Sequence, residues 1–357
     1  MQLTLYLTDN CNMNCSYCVY EKHPDNMSSD VLIKACDLAF SRGKEAGLCF
    51  FGGEPLLMKE LIYEALEYCK AKSEKTGIKC SFTMTTNGTL LDDEFLAKAK
   101  SAGMGIAVSF DGLAQDICRH FKGEEGSRSF DVLEAKSKLL LKYLPSSVAM
   151  ATIAPEAVPY YFESVKYLHD LGFKKVAFVI AYGKKVSWRE SDLIALKEQL
   201  EKTAVYLRDL YASGDDFIMG PLHSKISEFI TGNYPAKRCH LGVKQMPVIP
   251  GGDLYPCTSF IGDEDYLLGN VFEGVNEEKV ISLSKRNAIP ETCRECDLKQ
   301  RCTNSCGCAN RLNTGFENKV SPLQCSYERI VINIADRLGE EMYLLDEARF
   351  TEILSKV

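Results

Sequence analysis

An α/β fold is predicted by two features of the chain. Strand-like and helix-like stretches alternate six times over about the first 180 residues, and beyond them the periodicity fades into a cysteine-rich region. Alternation at this spacing means parallel strands joined by right-handed crossovers, in an open, partial barrel or a doubly wound sheet. The cysteine-rich region reads as a small domain folded around metal rather than around an apolar core.

Each element has its own signature. Leu3, Leu5 and Leu7 alternate with Thr4, Tyr6 and Thr8, the period of a strand. Ser28 and Ser29 offer an N-cap to a helix running to Gly43. Leu48 to Phe51 is a short apolar strand. Leu57, Leu61, Ile62, Ala65, Leu66 and Cys69 share one face of a helix that stops before Gly77. Cys80 to Thr85 is the third strand, Asp92 to Ala102 a helix closed by Gly103, and Gly105 to Ser109 the fourth strand. Phe130, Leu133 and Leu140 mark the next helix. Ser147 to Ile153 is the fifth strand, Phe162 to Leu171 a helix, and Lys175 to Ala181 the sixth strand. A charged helix from Glu190 to Ala212 then breaks the alternation and reads as a bridge out of the barrel. Helical periodicity returns at Ile330, Ile334 and Leu338. The chain thus divides at 1–185, 186–235, 236–330 and 331–357.

Composition narrows the function classes. The chain is 46% hydrophobic and 25% charged, as expected of a globular protein with a sizeable core. No apolar run approaches the roughly 18 residues of a membrane span, so no membrane partner is expected. A basic region followed by an apolar stretch is missing at the N-terminus, which predicts a cytoplasmic protein. The net charge of −7, with no basic block, argues against nucleic acid. Sixteen cysteines in such a chain point to metal before disulfides.

Their distribution carries the chemistry. Cys11, Cys15 and Cys18 follow the first strand. Three thiolates this close can hold three irons of a [4Fe–4S] cube and leave the fourth open, whereas an electron-carrying cluster usually has four cysteines. The spacing alone also fits a zinc site that lacks a ligand. Other candidate segments follow strand ends too: Gly52-Gly53-Glu54-Pro55, Thr86-Asn87-Gly88 and Ser109-Phe110-Asp111-Gly112. In parallel α/β folds ligands bind at that edge, so these segments should share one mouth. Cys36, Cys49, Cys69, Cys80 and Cys118 stand alone and read as ordinary buried thiols.

The cysteine triad after the first strand, with Tyr17 before the last cysteine, resembles the radical SAM superfamily. The resemblance covers about the first 180 residues and implies a partial (β/α)6 TIM-like barrel. It implies a [4Fe–4S] cluster on Cys11, Cys15 and Cys18 that binds S-adenosylmethionine at the open iron. Gly52, Gly53 and Glu54 resemble the family's GGEP stretch, where glycines allow close backbone approach and oxygens accept from the methionyl ammonium. Thr86 and Asn87 resemble its TNG segment. Ser109 and Asp111 stand where the family contacts the ribose. Arg119 is a candidate fork for the methionyl carboxylate, and Tyr17 would lie against the adenine.

The last third carries a second resemblance. Cys239, Gly252-x4-Cys257, then Cys293, Cys296, Cys302, Cys306 and Cys325 look like the seven-cysteine SPASM domain. That implies two auxiliary [4Fe–4S] clusters, an outer one on Cys293, Cys296, Cys302 and Cys325 and an inner one on Cys239, Cys257 and Cys306. Zinc is the rival, since C-x2-C pairs suit it as well. Two departures matter. Sulfatase-maturing relatives often have a further cysteine shortly after the first, but here His240 to Gln245 contain none. The inner cluster therefore has an open iron or a ligand from elsewhere, with Cys308 the nearest candidate. Those relatives also place an aspartate after the second cysteine. Here Thr258 follows Cys257, and threonine is no general base near neutral pH.

The resemblance implies a radical SAM/SPASM enzyme with three [4Fe–4S] clusters that modifies a peptide or protein. The product would be a crosslink, thioether or carbon–carbon, or an oxidised side chain. The alternatives are an anaerobic sulfatase-maturing enzyme and a non-catalytic iron–sulfur or zinc protein. A reductant such as flavodoxin or ferredoxin is implied. Many peptide maturases carry a leader-binding domain before the barrel, but here the first strand starts at Leu3. Leader recognition is then expected from a separate protein or an unidentified surface.

Overall fold

The computed structural model describes residues 2–20, 22–124, 127–234, 241–286 and 289–357. Eight neighbouring strands run parallel and form an open, partial barrel. They are β1 (Gln2–Thr8), β3 (Glu45–Gly52), β4 (Lys79–Thr86), β5 (Gly105–Ser109), β7 (Val148–Ile153), β8 (Lys175–Ile180), β9 (Ile218–Gly220) and β10 (Gln245–Val248). β10 lies on the far side of β1, and the antiparallel strands β11 (Asp253–Leu254), β12 (Gly269–Asn270) and β13 (Gly274–Val275) extend from it. A separate two-stranded ribbon pairs β2 (Met13–Cys15) with β6 (Arg119–Phe121).

Helices alternate with the strands: α1 (Ser29–Ser41), α2 (Lys59–Thr76), α3 (Asp93–Ser101), the short α4 (Gln115–Cys118), α5 (Phe130–Tyr143), α6 (Tyr161–Asp170), α7 (Glu190–Ala212) and α8 (Leu222–Thr231). The C-terminal part adds α9 (Glu277–Arg286), α10 (Gly307–Thr314), α11 (Pro322–Leu345) and α12 (Glu347–Ser355). Caps explain several starts. Ser28 Oγ accepts from Val31 N at 3.3 Å, and Asp92 Oδ1 accepts from Phe95 N at 2.8 Å, each satisfying an otherwise unpaired helix donor.

The two faces of the sheet differ. Ile106 and Val108 on β5, Ala149, Ala151 and Ile153 on β7, and Val176, Phe178 and Ile180 on β8 are buried. Residues between them, such as Ser109, Met150 and Thr152, are only partly buried. With a side-chain period of two, one face is apolar and packs on helices while the other lines a lumen. The lumen stays accessible because the sheet does not close: β9 and β13 are its edges.

Two sequence expectations change here. The charged helix α7 does not end the alternation. It returns the chain to the sheet as β9, which pairs in parallel with β8, and α8 follows. Nor is the cysteine-rich part held by sulfur alone. Met246 and Val248 on β10, Leu254, Phe260, Leu268 and Leu283 are buried in the same core as the barrel. Among the described residues no helix is long and apolar enough to cross a membrane.

His223 on α8 makes this region sensitive to acid. Burial pushes its imidazole down to about 4 from the ordinary 6.5. Its Nδ1 lies 3.1 Å from Met219 N and 3.3 Å from Met219 O, and the bond to Met219 only partly offsets the effect of burial. As pH falls below 6.5 the unfolded chain takes up a proton that the folded chain refuses until about 4. Stability is lost across that window, by about 3 kcal/mol at its acid end. Urea unfolding at pH 7.5 and pH 5 measures the loss. His223→Gln, which can still accept from Met219 N, is expected to show less of it. An equal loss in both proteins would contradict the assignment.

Candidate active site

The loop after β1 carries the cysteine triad, and backbone packing dictates its neighbours. Gly53 N donates to Thr8 O at 2.8 Å and Glu54 N to Asn10 O at 2.9 Å, so the loop after β3 is zipped to the cysteine loop. A Cβ on Gly53 would stand 2.0 Å from Asn10 O, and Gly52 has φ +119. Only glycine fits either position. The glycine pair is thus required to seat the cysteine loop as well as to leave room in the lumen.

The ribbon of β2 and β6 brings Arg119 opposite Cys15. Arg119 Nη1 approaches Cys15 Sγ at 3.9 Å, and its Nε donates to Asp111 Oδ2 at 2.9 Å. Tyr17 Oη donates to the same oxygen at 2.7 Å, and Thr152 N donates to Asp111 Oδ1 at 2.9 Å. The Arg119 guanidinium lies 5.4 Å from the centroid of the Tyr17 ring. Burial raises the Tyr17 phenol, so it stays a donor. Burial opposes the charge on Arg119, but the Asp111 carboxylate outweighs it and holds the guanidinium protonated.

Asn87 connects the third loop. Its Nδ2 donates to Asn12 Oδ1 at 2.8 Å and lies 3.8 Å from Cys11 Sγ, which also accepts from Met13 N at 3.4 Å. Burial raises the Cys11 and Cys15 thiols. The Met13 amide, at Cys11, and Arg119, at Cys15, pull toward the thiolate. N–H donors aimed at sulfur suit thiolates that carry a metal cluster.

These segments enclose a cavity of about 350 Å³ at the C-terminal ends of the strands. Cys11, Cys15, Tyr17, Cys18, Gly52, Gly53, Thr86, Asn87, Ser109 and Arg119 all line it. Glu54 and Asp111 do not. Both are fully buried behind its wall. Glu54 accepts from Thr86 Oγ1 at 2.6 Å, Asn87 N at 2.7 Å and Leu56 N at 3.0 Å. A carboxylate removed from water needs such partners. The structure therefore places these two acids as struts between loops, not at the ligand surface expected from the sequence.

The sequence reading missed other lining residues. Tyr6, Tyr20 and Phe51 form an edge-to-face aromatic wall, with ring centroids 5.4 to 6.0 Å apart. Tyr6 and Phe51 were visible as aromatics on the second face of their strands. Tyr182 and Leu312 close the side nearest the cysteine-rich part. A larger cavity of about 640 Å³, between α2, α3 and the start of β4, holds none of the candidate residues and lies away from the C-terminal strand edge.

The C-terminal cysteines fall into two groups. Cys293, Cys296, Cys302 and Cys325 line one small void of about 30 Å³, with Asn304, Glu328 and Arg329. Asn304 Nδ2 donates to Cys302 Sγ at 3.1 Å, and Arg329 Nη2 lies 3.7 Å from Cys296 Sγ. Cys257 is joined to Cys308, two residues past Cys306 at the start of α10. Cys239 lies outside the described residues. Among the described residues no three Cys, His, Asp or Glu side chains gather tightly enough for a single ion. A cube instead spreads its thiolates over separate corners, which suits sulfurs grouped around a void.

A sequence profile of the Radical SAM superfamily matches residues 5–196. The chain belongs to the radical SAM superfamily. It is an enzyme, and its family uses a [4Fe–4S] cluster and S-adenosylmethionine. The radical SAM chain is 24% identical over 336 residues to a serine-type anaerobic sulfatase-maturating enzyme of Bacteroides thetaiotaomicron, covering 83% of this chain and 80% of that one. It is 23% identical over 342 residues to the PqqA peptide cyclase of Gluconobacter oxydans, covering 91% and 90%. Its fold matches native anSMEcpe, solved with bound AdoMet and the Cp18Cys peptide, with a TM-score of 0.78 at 18% identity over 100% of this chain and 99% of the other.

Proposed function

We propose that this enzyme modifies a peptide or protein, forming a thioether or carbon–carbon crosslink or an oxidised side chain. The observation that carries the reading is the shared cavity: the three thiols, the glycine pair, Asn87, Ser109 and Arg119 face it, and Leu312 of α10 completes its wall. Cys11, Cys15 and Cys18 would hold the radical-generating [4Fe–4S] cluster. When bound, that cluster supplies the electron that cleaves S-adenosylmethionine to methionine and the 5′-deoxyadenosyl radical, which takes hydrogen from the substrate.

The chain's own residues bind, orient and shield. Gly52, Gly53, Thr86, Asn87, Ser109 and Arg119 would contact S-adenosylmethionine, with Tyr17 beside it and Glu54 and Asp111 fixing the loops from behind. Tyr6, Tyr20 and Phe51 give the cavity an apolar wall that excludes water from a reactive radical. Cys293, Cys296, Cys302 and Cys325 would hold the outer auxiliary cluster, and Cys306 and Cys239 would hold the inner one together with Cys257, once a dithiol has reduced the bond from Cys257 to Cys308. Leu312 lies four residues beyond Cys308 on α10, about 6 Å along the helix axis. Cys257 and Cys306 are thus close to the cavity, as ligands of an electron acceptor for the substrate radical need to be. Flavodoxin or ferredoxin is the expected class of reductant.

Anaerobic reconstitution tests this. Three cubes predict about twelve irons per chain. Replacing Cys11, Cys15 and Cys18 together with Ala should remove about four irons and stop 5′-deoxyadenosine formation. Zinc in place of iron, or undiminished 5′-deoxyadenosine, would reject the assignment. Sulfatase maturation is a second reading, favoured by the Bacteroides relative. Thr258 in place of an acid counts against it. Formylglycine in a Cys- or Ser-containing sulfatase peptide would decide for it.

A further inference from the structure

We propose that Asn304 raises the reduction potential of the outer auxiliary cluster by donating a hydrogen bond to the sulfur of Cys302. The inference rests on the outer-cluster part of the reading above, whose four cysteines lie among the described residues and line one void. Asn304 lines it with them and is 1% exposed. Its Nδ2 donates to Cys302 Sγ at 3.1 Å and to Lys299 O at 2.6 Å. These two partners settle which way the amide points. A carbonyl oxygen can only accept, so the group beside Lys299 O must be the nitrogen, and its second hydrogen is left for the sulfur.

The backbone holds this side chain in place. Asn310 Nδ2, on α10, donates to Asn304 O at 2.8 Å and to Glu317 O at 2.9 Å. Gln324 Nε2, on α11, donates to Thr303 O at 3.0 Å, and Cys306 N donates to the same oxygen at 2.9 Å. The carbonyls on either side of Asn304 Cα are thus both held. Asn304 Oδ1 is buried with no hydrogen-bond partner among the described residues. An apolar side chain of this size would avoid that cost, so packing alone does not call for asparagine. What asparagine adds is the N–H aimed at sulfur.

Reduction adds one electron to a cube, and its sulfurs then carry more negative charge. A fixed N–H donor stabilises that state more than the oxidised one, so the potential rises. Arg329 is the rival donor, with Nη2 3.7 Å from Cys296 Sγ. It is exposed, and solvent and salt screen its charge. The buried amide at 3.1 Å therefore contributes more. No bond at Asn304 forms or breaks. Its effect is to make the outer site a better acceptor for the electron left when the substrate radical closes the new bond.

The test uses the full chain with Cys11, Cys15 and Cys18 replaced by Ala, reconstituted anaerobically and titrated with dithionite under EPR. The signal that Cys293→Ala removes is the outer one. Asn304→Leu should keep its iron and make reduction about tenfold less favourable, a fall in midpoint of about 59 mV for one electron. Asn304→Gln, which restores an amide, should recover part of the fall. Arg329→Gln should lower the midpoint less, and less still at high salt. An unchanged midpoint in iron-loaded Asn304→Leu would overturn the assignment, as would a larger fall in Arg329→Gln. Should Asn304→Leu fail to hold iron, the parent decides. With asparagine isotopically labelled at the side-chain nitrogen, its reduced outer signal should show a hyperfine coupling to that nitrogen, and absence of the coupling would overturn the assignment. A parent without iron at the four outer cysteines would instead overturn the outer-cluster reading, and this inference with it.

Discussion

Replacing Asp111 with Ala is expected to destabilise the protein by about 3–5 kcal/mol, because it leaves Arg119 as a buried, unpaired charge. Asp111 is fully buried and Arg119 nearly so. One carboxylate also takes the Tyr17 hydroxyl and the Thr152 amide, so three donors lose their acceptor at once. The damage should reach the cysteine loop, since Arg119 is paired with Cys15 across the β2–β6 ribbon. Urea unfolding gives the stability, and iron content after reconstitution gives the state of the loop. Asp111→Asn, which keeps an oxygen acceptor but not the charge, should fall between. An Ala variant within about 1 kcal/mol of the parent would mean that Arg119 finds water or another anion, and the strut assignment would fail.

Lys225→Met should have an effect of similar size. Lys225 Nζ lies 3.4 Å from Glu228 and 3.0 Å from Glu328, and donates to Arg301 O at 2.8 Å. The three side chains are no more than 7% exposed. Removing the cation leaves two buried carboxylates facing one another, at a cost of about 3–5 kcal/mol. Arg301 precedes Cys302, and Glu328 borders the void of the four outer cysteines. Loss of iron from that site should therefore accompany the loss of stability. Replacing the whole group, Lys225→Met with Glu228→Leu and Glu328→Met, should recover most of the stability, because no charge is then stranded. Failure to recover would show that packing, not charge, sets the cost.

The six strands and their helices were legible because each carries its own period. Three elements were not. β9 has three residues, too few to show any period, so α7 looked like an exit from the barrel rather than a crossover. β10 contains Pro247, which cannot donate to a ladder and disguises a strand. The β2–β6 ribbon joins segments about a hundred residues apart, and nothing local in either announces the other. The site divides the same way. Motif spacing pointed to four loops of the cavity, after β1, β3, β4 and β5, and missed the segment after β8 that carries Tyr182 and the part of α10 that carries Leu312. It could not tell whether an acid in a loop faces the ligand or the protein, because the groups that capture Glu54 and Asp111 come from other loops: Thr86, Asn87, Tyr17, Arg119 and Thr152.

The pairing of β10 with β1 limits how the chain can be taken apart. Gln2 to Leu5 are matched with Gln245 to Val248, so the first strand of the barrel is an interior strand only while the C-terminal part is attached. A fragment ending before β10 would bare a row of unpaired amides and carbonyls along β1, directly upstream of the cysteine loop. Such a fragment is a template for self-association rather than a smaller enzyme. Chimeras that exchange auxiliary-cluster regions between relatives should therefore carry β10 with the region they graft.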